Sequence, residues 1–128
     1  MRDLEESISF VTGGSRGIGR AICLALVEQG GQVFTCARDL EGLQETRAES
    51  AAPERLHVKT GDVGELEDVL ELKRWLDSEA GRLDVLVNNA GILGPRTPLS
   101  EVDLNTWREV MRVNLDGARF FGVETTLR

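Results

Sequence analysis

The chain has 128 residues, a formal net charge of −7, 41% hydrophobic residues and two cysteines. No apolar run reaches the roughly 18 residues that cross a bilayer, and none follows the charged start Met1-Arg2-Asp3-Leu4-Glu5-Glu6 as a signal peptide requires. The acidic balance denies the basic face that nucleic-acid binding needs, so neither nucleic acid nor membrane is expected as a partner. Cys23 and Cys36 lie in apolar segments and read as reduced thiols rather than a disulfide framework, which places the chain in the cytoplasm.

Ile8 to Thr12 reads as a buried strand that stops at Gly13-Gly14-Ser15-Arg16-Gly17. A helix follows, with Ile18, Ala21, Ile22, Ala25 and Leu26 spaced as one buried stripe. Gly30-Gly31 closes it. Gln32 to Cys36 is the second strand, and Asp39 is placed to cap a polar helix running towards Ala48. Pro53 interrupts, Leu56 to Thr60 is a third strand, and a helix from about Glu65 to Ala80 turns Leu66, Val69, Leu70 and Leu76 inward. Leu83 to Val87 is the fourth strand, running into Asn88-Asn89-Ala90-Gly91. After Pro95 and Pro98, Ser100 is read as the cap of a final helix from about Glu101. On that helix Trp107, Val110, Met111, Asn114, Ala118 and Phe121 share a stripe, so Asn114 is expected on the core-facing side. Strands alternating with helices imply parallel pairing in an α/β fold. No repeat or linker divides the chain, so residues 1–128 are read as one domain.

Thr12 to Gly19, Thr-Gly-Gly-Ser-Arg-Gly-Ile-Gly, sits between a strand and a helix, where a phosphate-binding turn belongs. Gly13 permits the tight turn, Gly17 lets the backbone approach a pyrophosphate, and Gly19 allows close helix–strand packing. The helix N-terminus directs unpaired N–H groups at the anion. A P-loop is rejected, because Arg20-Ala21 stands where Lys-Ser/Thr is required.

This turn, together with Asn88-Asn89-Ala90-Gly91 after the fourth strand, resembles the two signatures of the short-chain dehydrogenases/reductases, over essentially the whole chain. The resemblance implies a Rossmann-like, doubly wound parallel sheet in the order 3-2-1-4, cut short after the fourth strand and the helix behind it. It implies cofactor contacts from Gly13, Ser15, Arg16, Gly17, Ile18 and Gly19 and from Ala90 and Gly91. Asp62-Val63 resembles the pair that borders the adenine, and reads equally as a strand-end turn. Asn88 by resemblance stands beside the cofactor; it also reads as a loop amide satisfying nearby backbone.

The acid that NAD-preferring members carry at the end of the second strand would fall at Ala37, and the Arg of NADP-preferring members at Arg38. Arg38 supplies a planar donor fork for a 2′-phosphate, and Arg16 could close on it from the other side. NADP(H) is therefore expected over NAD(H), and no metal. Asn114, within Val113-Asn114-Leu115, matches the helix that carries the family's catalytic-tetrad Asn; without the resemblance it reads as a structural amide. The family's Ser and Tyr-x-x-x-Lys have no counterpart here, since the chain contains no tyrosine. The expected activity is NADP(H)-dependent carbonyl reduction or alcohol oxidation, present as its cofactor-binding half. Its substrate would be a small carbonyl or alcohol, and a homo-oligomer is possible. The alternative is a non-catalytic nucleotide-binding module or truncated pseudoenzyme. A methyltransferase would leave the Asn-Asn-Ala-Gly signature without a purpose.

Overall fold

The computed structural model describes residues 4–126, so the charged start at residues 1–3 lies outside the described residues. Four parallel strands form one sheet in the order β3-β2-β1-β4: β1 Ile8–Thr12, β2 Gln32–Ala37, β3 Leu56–Thr60 and β4 Val85–Val87. β1 pairs Phe10 with Phe34 of β2 and with Leu86 of β4. The helices between them are α1 Gly17–Glu28, α2 Leu40–Glu49 and α3 Leu66–Glu79. After β4 come α4 Leu104–Met111, a π-helical turn Arg112–Asp116 and α5 Gly117–Thr126.

Strand side chains alternate between two cores, as a sheet covered on both faces requires. Phe10, Phe34 and Cys36 meet Val69, Leu72 and Leu76 of α3 and Phe121 of α5. Val11, Val33 and Leu56 meet Cys23 and Val27 of α1 on the opposite face. Phe10 lies with its ring centroid 4.6 Å from that of Phe121, and Trp75 meets Phe34 edge-on at 5.1 Å. These contacts seat α5 across β1 and bring the turn before it towards the sheet's carboxyl end.

Several expectations of register are corrected. The buried stripe of α1 is Gly19, Cys23 and Val27, while Ile18, Ala21 and Ala25 face solvent. Gly19 sets this register: α1 presses onto the end of β1 there, where even a Cβ has no room. Leu66 is exposed at the start of α3, whose inner face is Val69, Leu72 and Leu76. β4 is limited to Val85–Val87, because Asp84 turns its carboxylate onto the Ile8 amide at 2.8 Å. Ser100 sits in a 3₁₀ turn, Leu99–Glu101, and Asp103 caps α4 instead, accepting from the Thr106 amide at 2.8 Å. Asp39 does precede α2, but its side chain makes no capping bond.

Candidate cofactor crevice

A crevice of about 450 Å³ opens at the carboxyl ends of the strands, the place where open parallel sheets bind ligands. Gly13, Ser15, Arg16, Gly17, Ile18, Arg38, Asp62, Val63, Ala90 and Gly91 line it. Of the residues singled out from the sequence, Gly19, Asn88 and Asn114 stand behind or beside that lining.

The glycine turn is built by backbone that only glycine adopts readily. Gly13 has φ +76° and Gly17 has φ +59°, both in the left-handed region. The Gly13 amide donates to the Cys36 carbonyl at 2.8 Å, which ties the turn to the end of β2. A Cβ on Gly17 would meet nothing within 4 Å, so the turn presents bare backbone to open space. A Cβ on Gly19 would overlap the Gly13 carbonyl oxygen and come within 2.5 Å of Asn89 Nδ2. Gly19 is therefore the packing glycine, and Gly17 the one left facing the crevice.

Asn89 is the fastener that reading the sequence passed over in favour of Asn88. Its Nδ2 donates to the carbonyls of Thr12 and Gly13, each at 3.2 Å, while its own amide donates to Thr12 Oγ1 at 3.0 Å. The Ala90 amide donates to the same hydroxyl oxygen at 2.9 Å. Thr12, at the head of the first motif, thus joins the two signature loops. Asn88 is exposed and turns its amide towards the Ala118 carbonyl of α5 at 3.5 Å.

Four arginines surround this end of the sheet, and they divide into two pairs. Arg20 donates to the Ser15 carbonyl at 2.5 Å and to Thr46 Oγ1 at 2.9 Å, and it pairs with Glu45 and Glu49. Arg112 is held by Asp62, Glu65 and Glu109. Arg16 and Arg38 are exposed on the crevice wall, and neither guanidinium forms a hydrogen bond or ion pair with a described residue. Asp39 also lines the wall beside them.

At the other end, Asp62 Oδ1 accepts from the Gly64 amide at 2.9 Å and Oδ2 from Arg112 at 3.0 Å. Partial burial works to raise the Asp62 pKa, but the bonds from Arg112 and Gly64 outweigh it and hold the carboxyl below its usual range. Val63 is buried against Gly117, where a Cβ would lie 2.7 Å from Val63 Cγ2.

Asn114 departs from the expected core position. It is exposed, and Val113, Gly117 and Phe121 form the inward stripe instead. The π-turn inserts an extra residue into the helix and rotates the stripe at this point. Asn114 Oδ1 accepts from the Ile92 amide at 2.7 Å, and its Nδ2 donates to the Ile92 carbonyl at 2.9 Å. The amide thereby grips the loop that leaves β4 beside the crevice. Among the described residues no group of three or more His, Cys, Asp or Glu is arranged to hold a metal ion, and no helix is long and apolar enough to cross a membrane.

The family described as short chain dehydrogenase matches this chain over residues 7–127. Farnesol dehydrogenase of Aedes aegypti is 40% identical over 113 residues, which are 86% of this chain and 46% of that protein. A solved variant of actinorhodin polyketide ketoreductase with NADPH is 31% identical with a TM-score of 0.89, over 99% of this chain and 49% of that one. The 3-ketoacyl-(acyl-carrier-protein) reductase of Brucella melitensis, solved with NADH, shares the fold at 24% identity and a TM-score of 0.89, over 94% and 49%. The chain spans less than half the length of the curated relatives it matches.

Proposed function

The chain belongs to the short-chain dehydrogenase family, and on that premise we propose that its 128 residues form the NADP(H)-binding domain of an oxidoreductase that reduces a carbonyl or oxidises an alcohol. The observation that carries the cofactor preference is that Arg16 and Arg38, on one crevice wall, make no hydrogen bond or ion pair with a described residue. A 2′-phosphate takes planar donor forks well, and Ala37 leaves the end of β2 without the carboxylate that would accept from a ribose 2′-hydroxyl. The open space over Gly17 fits a backbone approach to the pyrophosphate.

Ser15, Gly17 and Ile18 would hold the pyrophosphate at the start of α1, which has no acidic residue in its first turn to repel it. Asp62 and Val63 would border the adenine, and Ala90 and Gly91 the opposite end. When bound, the nicotinamide supplies or accepts the hydride. Asn114 keeps Ile92 in place, and each of its amide atoms retains capacity for one more hydrogen bond; by family resemblance that capacity serves a proton path. Reduction of a carbonyl also needs a proton donor for its oxygen, and the tyrosine that serves relatives is absent from these 128 residues. We therefore propose that this chain binds NADPH without turning it over, which is also the behaviour of a non-catalytic module. A cytoplasmic setting is part of the proposal, in keeping with the two buried free thiols.

Replacing Arg38 by Ser tests the reading. Loss of one charge-assisted contact of about 2 kcal/mol corresponds to roughly thirtyfold weaker NADPH binding, with NADH binding little changed. An equal loss for both cofactors would remove Arg38 as the reader of the 2′-phosphate.

A further inference from the structure

We propose that Arg112 is a positioning residue that couples the adenine end of the crevice to the loop held by Asn114; the proposal rests on the cofactor reading above. Arg112 is the first residue of the π-turn. Its guanidinium reaches across to the loop after β3, with Nη2 3.0 Å from Asp62 Oδ2 and Nη1 3.2 Å from Glu65 Oε1. The same group is braced from its own helix by Glu109 at 2.8 Å. The fit is close: a Cβ on Gly64 would overlap Arg112 Nη1. Two residues along the same turn, Asn114 clamps both backbone groups of Ile92 at 2.7 and 2.9 Å. Between them the buried Val113 lines the crevice itself.

One five-residue turn, Arg112–Asp116, therefore spans the two loops that flank the crevice. It is tied to the Asp62 loop by a charged fork and to the Ile92 loop by a two-point amide clamp. A ligand that orders the Asp62 loop also orders Arg112, and through the turn it orders Asn114 and Ile92. Coupling of this kind requires no change of shape, only that one end loses freedom when the other does. Arg112 touches neither end's ligand in this account; it acts through Asp62 and through the helix.

The test uses a probe for one end and a readout at the other. 2′,5′-ADP carries the adenosine half of the cofactor and no nicotinamide. Its addition to the unaltered chain should slow hydrogen exchange of the Ile92 amide by roughly fivefold or more, the lower end of typical coupling between sites. In Arg112→Met the probe should still bind, but the Ile92 protection should disappear. Arg112→Lys keeps one positive charge yet cannot reach Asp62, Glu65 and Glu109 together. It should fold and bind the probe even if the Met variant fails to fold, and lose most of the same protection. Retained protection in a folded, probe-binding variant overturns the coupling, as does probe binding to the unaltered chain without protection. Failure of the unaltered chain to bind 2′,5′-ADP refutes the cofactor reading itself, and the coupling with it.

Discussion

Gly19→Ala is the most informative single change, because one methyl group tests the junction on which the crevice is built. The added Cβ would overlap the Gly13 carbonyl oxygen and lie 2.5 Å from Asn89 Nδ2. Neither atom can yield cheaply: Gly13 is held to Cys36 at 2.8 Å, and Asn89 Nδ2 bonds two carbonyls at 3.2 Å. Overpacking of this kind costs about 1–3 kcal/mol, and loosening the Asn89 bonds adds about 1 kcal/mol. Alanine's better helix propensity returns about 1 kcal/mol. The net loss should be about 2 kcal/mol, read by urea denaturation. Gly122→Ala in α5 is the matched control, since a Cβ there meets nothing within 4 Å. It should be neutral or stabilise by up to about 1 kcal/mol. If Gly19→Ala were as stable as the control, the close approach of α1 to β1 would be wrong.

Other expectations follow from the same contacts. Thr12→Val keeps the shape but leaves the Asn89 and Ala90 amides without their shared acceptor; a loss of about 2–3 kcal/mol is expected, with faster exchange of both amides. His57 stacks on Phe34 at 4.6 Å, and burial, with a smaller push from Arg47, lowers its pKa below 6.5 despite the opposing charge of Glu79. Because the folded state favours the neutral ring, stability should be full above pH 6.5 and fall as pH drops through that value. His57→Phe should flatten the slope; an unchanged slope would assign it to other groups. For Asp62, whose folded pKa is lowered, the sign is set by the carboxylate: its contribution is present above its unfolded pKa and lost as pH falls through the folded value. Asp62→Asn should remove part of that acid-limb loss. The purified 128-residue chain should not oxidise NADPH with small carbonyl compounds, measured by absorbance; sustained turnover would show a proton donor other than tyrosine.

The fold was legible where physics acts locally. Short runs rich in branched and aromatic residues marked the first, second and fourth strands, the mixed run Leu56 to Thr60 marked the third, and the glycine turn announced its strand before and helix after. Register was less legible. The α1 periodicity pointed to Ile18 and Ala25, but the close approach at Gly19 turned the helix to Gly19, Cys23 and Val27. The cap of the helix after β4 moved from Ser100 to Asp103, since the residues after Pro98 fold into a 3₁₀ turn first. An unbroken helix would turn Asn114 to the core, whereas the π-turn carries it outward onto Ile92. Asn89 went unread in its role because its partners are main-chain atoms of Thr12 and Gly13, more than seventy residues away, as the separations of 77 and 76 show. The difference between Arg16 and Arg38 on one side and Arg20 and Arg112 on the other also required coordinates, since Arg20 finds Glu45 and Glu49, and Arg112 finds Asp62 and Glu65, far along the chain.

The measurement closest to the central claim is calorimetric titration of the unaltered chain with NADPH and, separately, with NADH. Saturable binding of NADPH at least roughly tenfold tighter than NADH, the worth of about 1.4 kcal/mol, is the predicted result. Equal affinities, tighter NADH, or no binding of either by a folded chain would contradict the account.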